Sequence, residues 1–239
     1  MPEPVISLQP HAAGLGRSAE RGLLILRRMR LTMRMTAIGL GPWVRRALDV
    51  TACGLGLLAL APAFLLAALA IGLTSRGPIF FGQERVGQNG RRFTMWKLRT
   101  MVVNADALKD QLQKQHAASG GVRFKMVADP RITRVGRILR KLSLDELPQL
   151  ANVFIGDMTL IGPRPPVYRE VALYDSRALR RLEVRPGLTC LWQVRGRSNL
   201  SFEQQVDLDL EYIDRTTPAD ELQILLATVP AVLTGRGAY

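Results

Sequence analysis

From Val50 to Leu73 the chain reads VTACGLGLLALAPAFLLAALAIGL, without one charged side chain, and no other stretch limits its architecture so strongly. At about 1.5 Å per residue, a straight helix of this length reaches across a hydrocarbon core of roughly 30 Å. Pro62 lies in its middle, where it deletes a backbone donor and crowds the preceding turn, at about 3 kcal/mol in an otherwise regular helix. Both flanks are basic: residues 1–49 carry eight Arg against three acids, and residues 74–100 carry six Lys or Arg against one acid. A spanning helix leaves its Lys/Arg excess on one side of the bilayer. A helix broken near Pro62, dipping into one leaflet and returning to the same face, therefore conflicts less with the flanks than a single span. A buried helix of a soluble protein would need unusual coverage over so long an apolar run.

The remainder of the 239 residues, 47% hydrophobic across the whole chain, suffices for one substantial core beside that segment. Its 33 Lys and Arg against 20 Asp and Glu give a net charge of +13, which calls for a polyanionic partner. Nucleic acid, an anionic membrane surface and a phosphorylated substrate all meet that requirement. Only 6% of residues are aromatic, which disfavours a stacking platform for single strands, and no recognition motif accompanies the charge, so no nucleic-acid partner is expected. Cys53 and Cys190 are the only cysteines and lie far apart, and His11 and His116 are the only histidines. Neither pair supports a disulfide framework, a zinc site or a His-based nucleophile mechanism, which leaves carboxylates, Arg and Lys to carry any chemistry.

The segments order themselves as follows. Residues 1–44 read as a flexible basic arm, residues 45–76 as the membrane helix-break-helix, and residues 77–239 as a domain of soluble composition. Within the last, GPIFFGQERVGQNGRRFTMWKLRTM predicts a β-hairpin turning around Asn89, with Phe93, Met95 and Leu98 on its second strand. Residues 102–116 read as a polar helix. Val135, Ile138, Leu139 and Leu142 fall at helical spacing, and Thr217 followed by Pro218 reads as the capped start of a last helix. The expected class is helix-rich α+β.

Inside this basic chain, KLSLDELPQL sets Asp145 beside Glu146. Ser143 with Glu146 three residues on is a capping-box pattern. A helix starting there would carry Pro148 in its interior, however, so Pro148 fits better at the start of a following helix, PQLANVFI, ended by Gly156. The two acids then occupy a junction, where both can serve one site. Paired carboxylates can hold a hard cation or attack phosphorus. Arg140, Asp157 and Arg164 lie nearby in sequence, Lys97 and Arg99 upstream in WKLRT, and Arg185, Gln193, Arg195 and Arg197 downstream in RPGLTCLWQVRGRS. Acids at a junction with basic residues beside turns point to a Mg²⁺-dependent site for a diphosphate substrate.

The blocks GPIFFGQERVGQNGRRFTMWKLRTM, RVGRILRKLSLDELPQLANVFIGDMTLIGPRP and RPGLTCLWQVRGRS, in that order within residues 45–239, resemble the bacterial sugar transferase family. The resemblance is to small monotopic polyprenyl-phosphate hexose-1-phosphate transferases. It implies a protein of the bacterial inner (cytoplasmic) membrane, its catalytic domain facing the cytoplasm and its membrane helix re-entrant. The implied reaction takes hexose-1-phosphate from a UDP-hexose to undecaprenyl phosphate and releases UMP. Inner-membrane lipids and downstream glycosyltransferases are the further partners. By the same resemblance Asp145 is the nucleophile of an aspartyl phosphosugar intermediate, Glu146 helps Asp145 hold Mg²⁺, and Arg140 and Arg164 bind phosphate or nucleotide. Lys97, Arg99, Asp157, Gln193 and Arg197 complete the expected substrate site. Arg46, Asp49 and Pro62 match the membrane segment's pattern, with Ala61 where the family has Ser. LTCLWQ and the terminal GRGAY are most similar to transferases that prime exopolysaccharide synthesis. A catalytically silent membrane scaffold for polysaccharide assembly is the alternative, and the intact acid pair argues against it.

Overall fold

The computed structural model describes residues 41–105, 108, 129–196 and 199–234. Arg197, the arm up to residue 40, most of the polar stretch at 102–116 and the terminal GRGAY lie outside the described residues.

The apolar run forms helix α1, Pro42–Thr74, with Pro42 at its first position. Its two ends are held by one body. Near the start, Arg46 donates to the carbonyls of Val153 and Phe154, each at 2.6 Å. One turn on, the Asp49 carboxylate accepts from Thr159 Oγ1 at 2.7 Å and from the Leu160 backbone at 3.2 Å. Cys53 is enclosed with Met95, Leu150, Val153 and Met158. Near the far end, Ala67 and Ile71 pack with Leu98 and Leu139. A helix of 33 residues is about 50 Å long, and this one lies along the domain instead of leaving it. Its other side stays bare: Leu55, Leu58, Leu65, Leu66, Leu69 and Leu73 are all more than half exposed. A long apolar helix so placed is compatible with a monotopic membrane anchor.

The expected break at Pro62 is absent: α1 runs through the proline as one helix. Proline deletes a single N–H and leaves the Leu58 carbonyl unbonded, a local loss that packing at both ends of α1 can offset.

The hairpin forms as the alternation and turn residues require. Strands β1, Phe80–Val86, and β2, Arg92–Leu98, pair antiparallel from Phe80↔Leu98 to Val86↔Arg92. Asn89 turns the chain at φ 57°, a left-handed conformation that Asn tolerates. Helix α2, Arg134–Lys141, starts at Thr133, whose hydroxyl accepts from the Gly136 N–H at 2.9 Å. Beyond it come helix α3, Gln149–Ile155, and strand β3, Thr159–Ile161. Strand β4, Gly187–Thr189, pairs parallel with β3. Helices α4, Tyr168–Val171, and α5, Ser176–Leu179, fill the crossover between them. Helices α6, Leu191–Arg195, α7, Phe202–Arg215, and α8, Pro218–Thr234, close the fold. Ile161, Leu191, Val206, Leu210, Ile213 and Ile224 form the largest buried cluster, beneath the β3/β4 pair. This parallel pair was not predicted, because strands of three residues are too short to show a period.

Candidate active site

Asp145 and Glu146 lie on a single tight 3₁₀ turn, Leu144–Glu146, between α2 and α3. Ser143, before the turn, is left-handed at φ 53° and its hydroxyl caps nothing, so the capping box does not form. Pro148 precedes α3 and Gly156 ends it at φ 105°, which is the junction expected from those two residues.

The strand and loop on either side converge on Glu146. On β2 the inward positions of the pleat run Phe93, Met95 and then Lys97, so a cation stands where the alternation asks for a third apolar residue. Lys97 Nζ lies 3.0 Å from Glu146 Oε1. Arg164 Nη2 reaches the same oxygen at 3.1 Å. The Arg164 loop has little freedom. Pro163 and Pro165 are fully buried, Gly187 N–H donates to Pro163 O at 2.9 Å, Arg85 to Pro165 O at 2.9 Å, and Val86 N–H to Pro166 O at 2.9 Å. Arg140, on α2, is fixed through Nε to Thr100 Oγ1 at 2.9 Å, and its other nitrogens have no hydrogen bond among the described residues.

The two acids differ in electrostatics. Burial works to raise the Glu146 carboxyl, but the charges and hydrogen bonds of Lys97 and Arg164 outweigh it and hold the group well below the usual carboxylate range. Burial, followed by the Glu146 charge, raises Asp145 despite Lys97 and Arg140 nearby. Asp145 is only 8% exposed and its carboxylate has no side-chain partner among the described residues. One acid is thus neutralised by two cations through a single oxygen, and the other is held uncommitted beside three. Burial also lowers Lys97, against the pull of Glu146, and Glu146 raises Arg164.

Among the described residues no group of three or more His, Cys, Asp or Glu gathers to hold a metal. What remains is the Asp145 carboxylate and Glu146 Oε2, two hard oxygen sources. They fit Mg²⁺, which is commonly held by one or two carboxylates with substrate phosphates and water completing the octahedron.

Other expected site residues go elsewhere. Arg99 donates to the Arg76 and Ser75 carbonyls at 2.7 Å each and to Ser75 Oγ at 3.0 Å, so it ties down the chain leaving α1 instead of facing the acids. Asp157 follows α3 at the end opposite the acids, about 10 Å along the helix, and accepts weakly from Asn152 at 3.5 Å. Gln193 accepts from the buried Cys190 thiol at 3.1 Å. Arg195 makes an exposed ion pair with Glu211 at 3.2 Å.

Three residues near the acids were not anticipated. Thr100 orients Arg140. Asn152 is fully buried, accepts from Trp96 N–H at 3.0 Å and donates to Thr94 O at 2.7 Å, thereby pairing with the free edge of β2 beside Lys97. Gln149 is enclosed at 2% exposure with its Nε2 lacking a partner, at a cost of about 1–3 kcal/mol for such a group. A polar residue on an otherwise apolar helix face was the available signal for both amides.

A family model described as bacterial sugar transferase matches residues 40–235. The chain is 43% identical over 198 residues to the exopolysaccharide production protein ExoY of Sinorhizobium fredii, covering 82% of this chain and 88% of that one. It is also 43% identical, over 203 residues, to the UDP-glucose:undecaprenyl-phosphate glucose-1-phosphate transferase of Caulobacter vibrioides, covering 82% of this chain and 72% of that one. The undecaprenyl-phosphate galactose phosphotransferase of Salmonella typhimurium is 43% identical over 166 residues, 68% of this chain but 35% of that longer protein.

Proposed function

Because this chain belongs to the bacterial sugar transferase family, we propose that it transfers hexose-1-phosphate from a UDP-hexose to undecaprenyl phosphate, releasing UMP and priming an exopolysaccharide or other surface glycan. The observation that carries this reading is the division of labour in the acid pair: Glu146 is pinned by Lys97 and Arg164, while Asp145 is buried with no side-chain partner among the described residues. The similarity to transferases named for undecaprenyl phosphate supplies donor and acceptor.

Asp145 attacks the sugar-proximal phosphorus of the donor. An Asp145 Oδ–P bond forms as the P–O bond to UMP breaks, and the electron pair leaves with UMP. Lys97, Arg140 and Arg164 bind the diphosphate oxygens and offset the charge that develops on them. The phosphate of the lipid acceptor then attacks the same phosphorus and frees Asp145. Mg²⁺, held by Asp145 and Glu146, supplies charge neutralisation at the diphosphate when bound. A water-soluble donor and a lipid acceptor place such a site at a membrane surface. In this reading the bare leucine side of α1 enters one leaflet of the inner membrane, and the basic excess on both flanks supports a catalytic domain on the cytoplasmic side.

The test is UMP release by purified protein in lipid nanodiscs, across a panel of UDP-glucose, UDP-galactose and UDP-N-acetylhexosamines with undecaprenyl phosphate. Release with at least one donor, dependent on the lipid for full turnover, is expected; silence across the panel sinks the reading in favour of a scaffold. Glu146→Gln should keep the fold and weaken Mg²⁺-dependent release on the order of 10-fold or more. An unchanged Mg²⁺ dependence removes Glu146 from the metal. For topology, cysteines placed at the two ends of α1 should label from the same face of the membrane. Labelling from opposite faces contradicts the monotopic arrangement.

A further inference from the structure

Gln149 opens α3 almost fully enclosed, and its Nε2 has no hydrogen-bond partner among the described residues. The contrast with Asn152 on the same helix is direct: that amide uses both its ends on β2, whereas Gln149 has no such bond among the described residues. The backbone stays right-handed helical from Leu144 to Ile155, through the 3₁₀ turn, through Leu147 at φ −56° and Pro148 at φ −59°, and into α3. Gln149 therefore stands four residues after Asp145 and three after Glu146, about one turn further along a run whose bonds between Ser143 and Ala151 are of the tight i→i−3 kind. Most buried side-chain donors in native proteins are satisfied, and an orphan about one turn from two acids is open to an acceptor that comes from a ligand.

We infer that Gln149 donates a hydrogen bond from its carboxamide to a non-bridging oxygen of the phosphoryl group that passes to Asp145. This rests on the transferase reading above. A group bonded to Asp145 lies within reach of a side chain one helical turn further on. No proton is transferred: the bonds made and broken are those at phosphorus, and the amide N–H only stabilises charge on the equatorial oxygen. The three cations bind the diphosphate before and during reaction alike. A neutral donor aimed at the oxygens of the reacting phosphorus acts chiefly as they rearrange, so its effect belongs in kcat more than in KM.

Gln149→Met keeps length and volume and removes the enclosed donor. The experiment compares full-length wild-type and variant proteins in nanodiscs by single-turnover labelling with radiolabelled donors of the same UDP-sugar panel, in the presence of Mg²⁺. Steady-state KM and kcat and the melting temperature are measured in parallel. Expected are adduct formation slower by roughly 10²-fold, a KM close to wild type, and a Tm equal to or above it. An unchanged rate, or a loss carried by KM alone, overturns the role. So does a Tm that falls together with activity, since that marks a structural amide. Wild-type protein that releases UMP from no donor overturns the transferase reading itself, whereas a wild-type burst matched by the variant overturns only the assignment of Gln149.

Discussion

Asp145→Asn is expected to form no labelled adduct from any UDP-hexose and, at neutral pH, to melt above the wild-type protein. The first half follows from loss of the proposed nucleophile and should lower turnover on the order of 10⁴-fold or more. The second follows from the surroundings of the carboxylate. Burial, and then the charge of Glu146, raise its pKa in the folded state, while Lys97 and Arg140 compensate only in part. A carboxyl whose folded pKa lies above its unfolded value binds protons more tightly in the native state. Stability therefore falls as pH rises from the ordinary Asp value of about 3.9 through the folded value, and the deficit persists at neutral pH. Asparagine removes it, and each kcal/mol recovered raises Tm by about 2–4 °C in a chain of this size. A variant that retains the adduct, or that melts below wild type at pH 7, contradicts the assignment.

Gly187→Ala should be a strongly damaging small substitution beside the site. A Cβ on Gly187 would fall 2.0 Å from the Gly162 nitrogen and 2.5 Å from its oxygen, both backbone atoms. Neither can yield without parting β3 from β4, where Gly162 N–H donates to Thr189 O at 3.0 Å and Gly187 N–H to Pro163 O at 2.9 Å. Overpacking against backbone costs about 3 kcal/mol or more, equivalent to a fall in Tm of roughly 6–12 °C. Arg164 sits in the loop that this contact braces, so whatever protein folds should bind the UDP-sugar more weakly, with a raised KM. A Tm within about 2 °C of wild type would show that the two strands can separate at little cost.

The acid junction was legible because its signals are local. Pro148 cannot sit inside a helix, Gly156 supplies the left-handed end, and together they bracket α3 and leave Asp145 and Glu146 outside it. The hairpin was legible for a similar reason, from two alternating runs around Asn89. Partner choice across the fold was not. Arg99, two residues beyond Lys97, looks like a companion phosphate ligand in sequence, yet its position after β2 brings it to the end of α1. Asp157 shares a motif with Arg164 but is separated from the acids by the whole of α3. Pro62 illustrates the opposite limit, since a strong local breaker was overridden by packing at both ends of one helix.

The clasp of α1 by Arg46 and Asp49 also sets an order of events during synthesis. The partners of these two side chains lie 107 to 111 residues downstream. At about 5–20 residues per second, roughly 5–20 s pass between the emergence of Arg46 and that of Val153. Throughout that interval the clasp cannot close, whereas the leucines on the bare side of α1 stay exposed before and after it does. The helix that opens the fold is therefore fastened only after α3 and β3 have been made.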